Sequence, residues 1–219
     1  MFQYNKLLTQ NAEQSEYRNM RVLISGFEAF GGRDINPTAL LVEALKNKEI
    51  QIPQGLLVDQ ILLPVVFQQS FHVLQNKINQ FNPDVVIAFG QAAKRASIDL
   101  ETIAVNKIDA DIKDNQGMQP REQMINHLGE PSYASTLPVQ GIEAALKDAG
   151  LPVKLSKSAG TYVCNYVFYR LMETNQDALR LCGFIHVPLL PEQAQEGEPS
   201  LHFSDLLKAL SIILNYIKY

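Results

Sequence analysis

The chain has few cysteines, no excess of positive charge and no long apolar segment, and each shortage excludes a class of protein. It carries 19 Lys and Arg against 23 Asp and Glu, a net charge of −4. No surplus of cations is left to neutralise phosphates, so we expect no nucleic acid partner. No apolar run approaches the roughly 20 residues that cross a bilayer, so we expect no membrane partner either.

The cysteine content and the first residues both bear on the compartment. A chain of 219 residues with 46% hydrophobic residues can build its own core, so a disulfide between Cys164 and Cys182 is not needed for stability. Residues 1–19 are polar throughout and lack the apolar stretch of a secretory signal. We therefore expect reduced thiols, a cytoplasmic location, a polar N-terminal arm over 1–19 and one catalytic domain over 20–219.

Strand-like and helix-like segments alternate along the chain. Short β-branched runs predict strands, and apolar residues at helical spacing predict helices between them. The predicted strands are 20–25, 56–63, 84–90, 153–156 and 183–187, with one or two more in 97–108. The predicted helices are 36–48, 66–81, 139–148, 161–173 and a closing helix after Ser204-Asp205, with a polar excursion over 109–131. Asn36 can cap the first of these helices with Pro37 at its first position, and Ser204-Asp205 is cap-like for the last. This order predicts an α/β fold, a three-layer α/β/α sandwich with a mostly parallel, twisted central sheet.

Cys164 occupies the position most suggestive of chemistry. It follows small residues and Thr161, which can cap a helix, so the sulfur is predicted in a first helical turn. Unpaired amides and the helix dipole favour a thiolate there, and the same amides could hold an oxyanion. The ordinary alternative is a small buried hydrophobic residue, as most free cysteines are. Cys182 has no comparable setting and is predicted to lie in the core.

His186 and Glu101 are polar residues in apolar, strand-like surroundings. His186 precedes Pro188 at the end of a predicted strand, and is either the base for Cys164 or a hydrogen-bonded structural residue. Glu101 could fix the tautomer of such a base, although taken alone it could equally be a surface charge on an edge strand. The other histidines are predicted to lie on the surface: His72, His127 and His202.

Several segments form an ordered set of motifs from about Met20 to the C-terminus. They are Gly26-Phe27-Glu28-Ala29-Phe30-Gly31-Gly32 with Asn36-Pro37, then Gly90-Gln91 and Arg95 ahead of Glu101, then Ser158-Ala159-Gly160-Thr161-Tyr162-Val163-Cys164-Asn165, and finally Gly183-Phe184-Ile185-His186-Val187-Pro188-Leu189-Leu190-Pro191-Glu192-Gln193. In content and order this set resembles the pyroglutamyl peptidase I family, also called pyrrolidone-carboxylate peptidases. Independent motifs in one order are far more specific than a single short pattern.

The resemblance implies a function and a set of site residues. The function is hydrolysis of the bond after an N-terminal pyroglutamyl residue of peptides, by a catalytic triad of Glu101, Cys164 and His186. It implies no metal and no cofactor, and commonly a homotetramer. The residues implied around the substrate lactam are Phe27, Phe30, Gln91, Tyr162 and Val163.

The chain departs from the family pattern at two places, and rival functions stay open. Family members usually carry Arg ten residues after the catalytic Glu, where this chain has Asp111, and family chains tend to begin near Met20. An acidic group near the thiolate would oppose it, so a catalytically impaired relative that binds pyroglutamyl peptides is one alternative. A nucleoside phosphorylase is another, but it needs phosphate-binding Arg and Gly-rich contacts that the sequence does not show.

Overall fold

A computed structural model of the protein describes residues 18–176 and 180–218. Most of the predicted N-terminal arm, residues 1–17, lies outside the described residues. The strands are β1 (Met20–Phe27), β2 (Leu56–Leu63), β3 (Val85–Gln91), β4 (Ile98–Glu101), β5 (Ile103–Val105), β6 (Ser132–Ala134), β7 (Val153–Ser156) and β8 (Leu181–Val187). The helices are α1 (Pro37–Lys46), α2 (Gln69–Phe81), α3 (Val139–Asp148), α4 (Val163–Thr174) and α5 (Phe203–Ile217).

Six of the strands form one mostly parallel sheet in the order β2-β1-β3-β8-β4-β7. Strand β4 pairs antiparallel to β8, and β7 pairs parallel to β4. Strands β5 and β6 form a separate antiparallel pair. The central parallel strands β1, β3 and β8 are buried on both faces for most of their length, as expected where helices cover the sheet on each side, while the outer strands β2 and β7 are partly exposed.

Helices pack on both faces of the sheet. Alternate strand residues enter two separate cores, with Ile24 and Ile87 on one face and Leu23 and Val86 on the other. Helices α1, α3 and α5 cover the first face, and α2 and α4 cover the second. Three layers result, and the predicted α/β sandwich is confirmed. His186 follows Phe184 at period two on β8, so its ring lies on the face that α4 covers.

The entry into α1 follows the sequence prediction. The Asn36 side chain accepts a hydrogen bond of 3.0 Å from the Thr38 amide, and Pro37 takes the first helical position. Such a cap satisfies one of the amides that a helix start leaves without a partner. The cap fixes where the chain leaves the loop that follows β1.

The prediction that the second helix begins at Val66 is wrong, because α2 begins three residues later. Gln68 has a φ of 60°, which interrupts helical geometry. The Phe67 amide donates instead to Asp114 Oδ2 at 3.1 Å. The polar excursion therefore binds the segment that precedes α2 and keeps it out of the helix.

Two further predictions fail at the ends of elements. The expected cap at Ser204-Asp205 is wrong, because α5 begins at Phe203, where the carbonyl of His202 already accepts from the Asp205 amide at 3.0 Å. Strand β6 was not predicted, since three partly exposed residues carry no clear period. Its pairing with β5 comes from tertiary contacts.

Candidate active site

A cavity of about 520 Å³ opens where β3 and β8 end and α4 begins. The carboxyl ends of parallel strands are the usual place for a site in an open α/β sheet. Five of the eight residues predicted for the site line this cavity: Phe30, Gln91, Tyr162, Cys164 and His186. The proposed nucleophile and its base therefore share one cavity on one face of the sheet.

Glu101 hydrogen-bonds the His186 imidazole and does not itself line the cavity. His186 Nδ1 lies 2.7 Å from Glu101 Oε1, and both side chains are buried. Burial would raise the pKa of Glu101, but the hydrogen bond with His186 and the charge of Arg95 bring it below its ordinary value. An ionised carboxylate only accepts, so Nδ1 carries the proton and Nε2 is left as an acceptor. The imidazole thus has the tautomer that a general base needs.

Arg95 joins the buried carboxylates to the loop before the nucleophile. Its NH1 group bonds Asp99 Oδ2 at 2.5 Å and Glu101 Oε1 at 2.8 Å, and its NH2 group donates to the Ser158 carbonyl at 2.8 Å. Asp99 and Glu101 are 1% and 0% exposed. Two buried carboxylates require a cation close by. In the sequence, this cation is Arg95, which precedes Asp99 by four residues and Glu101 by six.

Cys164 is the second residue of α4, as the sequence predicts for a first helical turn. The prediction that Thr161 caps this helix is wrong, because Tyr162 takes the cap position and gives no side-chain cap. The Thr161 hydroxyl donates to the Asp109 carbonyl at 2.9 Å, and the Asp109 amide donates back to the Thr161 carbonyl at 3.0 Å. These two bonds tie the excursion to the loop that carries the sulfur.

Gly90 lets the sulfur approach the end of β3. A Cβ atom built at this position would lie 2.9 Å from Cys164 Sγ and 2.7 Å from the Phe184 ring. Both distances are shorter than van der Waals contact, so any side chain at Gly90 would displace the nucleophile. The Gly-Gln motif at the end of β3 therefore has a steric function.

Burial of the sulfur works against the thiolate that the helix start favours. Burial raises the pKa of Cys164 to about 12, and Glu101 raises it as well, while Arg95 and the residue's own amide lower it. Burial also lowers the pKa of His186, although Glu101 opposes this shift. Both shifts favour a thiol and a neutral imidazole in the free protein. The helix start stabilises negative charge as it forms during attack.

Aromatic rings form one wall of the cavity. The Phe30 and Tyr162 ring centroids are 6.0 Å apart, and Phe67 packs edge-on to Tyr162 at 5.5 Å. The Tyr162 hydroxyl donates to the Lys113 carbonyl at 3.0 Å, which holds the ring in place. Phe67 does not line the cavity itself and supports the wall through its contact with Tyr162.

Three predicted residues do not line the cavity. Glu101 lies behind His186, as its role requires. Phe27 is 2% exposed and packs in the core against Phe184, with ring centroids 6.3 Å apart. Val163 is 1% exposed at the start of α4. Core packing is the ordinary role of such side chains, and it is the role that these two have in the structure.

Asn165 is a positioning residue that the sequence analysis quoted but did not assign. It is fully buried, its Oδ1 accepts from the Val105 amide at 3.1 Å, and its Nδ2 donates to the carbonyls of Val105 and Lys107 at 2.8 and 3.0 Å. These bonds fix the start of α4 against β5. The residue after the nucleophile therefore anchors the first turn of α4 to the backbone of residues 105 and 107.

Asp111 lies at the cavity rim with a side chain that is 95% exposed. Its Oδ1 is 3.3 Å from Arg121 NH1, and Arg121 Nε also lies 2.9 Å from Asp109 Oδ1. Water and a neighbouring guanidinium both screen this charge from the sulfur. Cys182 is fully buried, and the other three histidines are exposed, as predicted.

Over residues 18–176 and 180–218, no group of three or more His, Cys, Asp or Glu side chains could hold a metal ion. In the same part of the chain, no helix is long and apolar enough to cross a membrane.

A cysteine beside a neutral imidazole, with a buried carboxylate behind that ring, is the arrangement of a cysteine hydrolase on an α/β fold. Comparison with known proteins makes the class specific. A family model described as pyroglutamyl peptidase matches residues 20–218. The chain belongs to this family of cysteine peptidases.

Relatives and solved structures agree with that assignment. The chain is 39% identical to a pyrrolidone-carboxylate peptidase of Bacillus cytotoxicus, over 88% of this chain and 90% of the relative. It is 41% identical to pyrrolidone-carboxylate peptidase 1 of Photorhabdus laumondii, over 89% and 91%. The crystal structure of pyroglutamyl peptidase I from Bacillus amyloliquefaciens superposes with a TM-score of 0.86 at 36% identity, covering 92% of this chain and 96% of that one. None of these matches supports the impaired-relative or phosphorylase alternatives.

Proposed function

We propose that this chain removes N-terminal pyroglutamate from peptides through a thioester on Cys164. The observation that carries the proposal is the shared cavity, which Cys164 and His186 both line while buried Glu101 holds the ring. Family membership supplies the substrate class. Glu101, Cys164 and His186 are the proposed catalytic residues, and Phe30, Gln91 and Tyr162 the proposed substrate contacts.

Acylation begins from the neutral pair. As Cys164 Sγ attacks the pyroglutamyl carbonyl carbon, its proton passes to His186 Nε2, and the new S–C bond forms. The free amides in the first turn of α4 hold the oxyanion. The C–N bond then breaks, and the imidazolium gives its proton to the leaving amine. Glu101 stabilises the positive ring during this step, because its pKa lies below the ordinary value and it stays ionised.

Deacylation uses the same groups in reverse. His186 takes a proton from water, and the hydroxide oxygen attacks the thioester carbon. The S–C bond breaks, and the proton returns from the imidazole to the sulfur. Free pyroglutamate leaves, and the thiol and neutral imidazole are restored.

The cavity suits a flat, uncharged lactam. The Phe30 and Tyr162 rings offer apolar walls, and Gln91 offers a polar amide. Ordinary aminopeptidases hold a free ammonium, which pyroglutamate lacks. A ring without the lactam carbonyl, such as proline, would leave a buried polar partner unpaired, at a cost of about 1 to 3 kcal/mol. For Phe27 and Val163 we propose an indirect effect, through packing beneath the site.

Turnover of a pyroglutamyl-linked fluorogenic amide tests the proposal, with the prolyl amide of the same fluorophore as the substrate control. We expect hydrolysis of the first and little of the second. Cys164→Ala should lower kcat by at least about 1000-fold, while Cys182→Ala, which removes the other thiol, keeps the activity of its folded fraction. Wild-type turnover in Cys164→Ala would remove this sulfur from the mechanism.

We also propose a cytoplasmic location and a homo-oligomer, a tetramer by family resemblance. Both cysteines are free, which suits a reducing compartment. Several large apolar side chains are exposed and could be covered by a second copy, namely Leu57, Leu62, Ile112, Met118, Met124 and Leu128. Light scattering after gel filtration measures the mass. A monomer at micromolar concentration would refute the oligomer.

A further inference from the structure

Gln91 presents an amide to the cavity, and the orientation of that amide decides what it can recognise. The side chain follows Gly90 at the end of β3 and is 6% exposed. A glutamine offers two N–H donors on one side and a carbonyl acceptor on the other. A lactam also has two different polar edges, a C=O that accepts and an N–H that donates. One orientation of Gln91 therefore fits the lactam carbonyl, and the other repels it.

Gln193 has an orientation that two backbone groups dictate. Its Oε1 accepts from the Leu190 amide at 2.9 Å, and its Nε2 donates to the Ile35 carbonyl at 2.8 Å. A backbone amide can only donate and a backbone carbonyl can only accept. Exchanging the nitrogen and oxygen of Gln193 would set donor against donor and acceptor against acceptor, so its amide has one possible orientation.

That fixed amide in turn orients Gln91. The second hydrogen on Gln193 Nε2 points to Gln91 Oε1, 3.0 Å away. The carbonyl oxygen of Gln91 is thereby engaged, which leaves its NH₂ group as the polar end available to the cavity that Gln91 lines. The Arg33 side chain donates to the backbone carbonyl of Gln193 at 2.7 Å. This bond anchors the segment that carries Gln193.

We propose that Gln193 is a positioning residue that sets the hydrogen-bond polarity of the substrate pocket. By holding Gln91 Oε1, it leaves the Gln91 NH₂ group to donate to the lactam carbonyl. Proline has no acceptor at this point of its ring, so the same orientation favours pyroglutamate over proline. This inference rests on the proposed function, and it assigns a role to the last residue of the motif that ends at Gln193.

Gln193→Glu reverses the polarity with little change of shape. The new carboxylate still accepts from the Leu190 amide but has no hydrogen for Gln91 or for the Ile35 carbonyl. Gln91 then turns its NH₂ group toward the carboxylate and its oxygen toward the lactam carbonyl. Gln193→Met loses the same two bonds, to Gln91 and Ile35, without adding a charge, so it is the comparison for the loss at Ile35. We expect KM for the pyroglutamyl amide to rise about 10- to 100-fold with kcat changed less than about threefold. The inhibition constant of 2-pyrrolidinone, a free lactam without a scissile bond, should rise by the same factor as KM.

The matched control is Gln195→Glu, the same substitution two residues away on an exposed side chain. It should leave KM within about twofold of the wild-type value. Gln193→Met removes the polar amide at similar size and should give a smaller rise in KM. It also serves as the second variant if Gln193→Glu does not fold.

A double substitution separates positioning from a general structural effect. If Gln193 acts through Gln91, then Gln91→Met with Gln193→Glu, or with Gln193→Met, raises KM no more than Gln91→Met alone. Losses that multiply, or an unchanged KM in Gln193→Glu, would overturn the inference while the wild type still hydrolyses the substrate. A wild-type protein with no pyroglutamyl turnover would instead refute the proposed function, and the inference with it.

Discussion

His186 Nδ1 lies 2.7 Å from Glu101 Oε1, although 85 residues separate the two along the chain. Strands β4 and β8 run antiparallel, and their register sets Glu101 opposite Phe184, two residues before His186 on the same face of β8. The Glu101 carboxylate therefore contacts the ring of the residue that lies diagonally across from it on β8. One bond between strands fixes both the tautomer and the direction of the base.

Replacing this carboxylate tests its role. Glu101→Gln keeps the size of the side chain but presents an amide, which can hold the imidazole in the wrong tautomer. We expect kcat to fall about 10³- to 10⁴-fold with KM changed little. Glu196→Gln, on an exposed position, is the control and should leave both constants unchanged. A decrease below tenfold would mean that Glu101 does not orient the base.

The pH profile follows from the base. Burial lowers the pKa of His186 below its ordinary value of about 6.5, and catalysis needs the unprotonated ring. Activity is therefore fully present above that ordinary value and is lost only as the pH falls through the lower pKa. We expect the acid limb of kcat/KM below about pH 6.5.

Arg95 is the variant that tests the cause of this profile. Its charge lowers the pKa of His186, so Arg95→Met should move the acid limb to higher pH as well as reduce the rate. An acid limb that stays in place would show that Arg95 has no electrostatic effect on the ring.

The charge state of the sulfur can be measured directly. Because burial raises the pKa of Cys164 to about 12, thiolate absorbance in the ultraviolet should be absent from the free protein below about pH 9. The difference between the wild type and Cys164→Ser isolates this thiol. A thiolate signal at neutral pH that disappears in Cys164→Ser would show an ion pair at rest.

Asp111 should have little effect on catalysis. Its side chain is 95% exposed and pairs with Arg121 at 3.3 Å, and such surface pairs contribute at most about 1 kcal/mol. We expect Asp111→Asn to change kcat/KM less than about threefold at moderate salt. An increase of tenfold or more would show that its negative charge opposes the thiolate or the oxyanion.

Sequence periodicity predicted most of the fold because the core strands are unusually clear. Strand β2, strand β7 and helix α3 match the predicted limits, since turn signals bound each of them. The start of α2 and the pairing of β5 with β6 were missed. The first depends on a contact with the excursion between 109 and 131, and the second on pairing with the segment that follows the excursion. No local pattern encodes contacts between distant segments.

The site was predicted to a smaller extent, and mainly through motifs. Residue type and position suggested Cys164 and His186, but spacing alone could not join Glu101 to them, because strand register makes that contact. The helix start that favours a thiolate is opposed by burial, which no local sequence pattern shows. Gln193 had no assigned role, since its function lies in hydrogen bonds from three separate segments.

The central claim is a covalent thioester on Cys164, and mass spectrometry of the protein quenched in acid during turnover tests it most directly. We expect a mass increase of one pyroglutamyl group, located on the peptide that contains Cys164, with Cys182 unmodified. The increase should be absent from Cys164→Ala. Product formation in single-turnover experiments with no acylated Cys164 at any time would show that this thioester is not an intermediate.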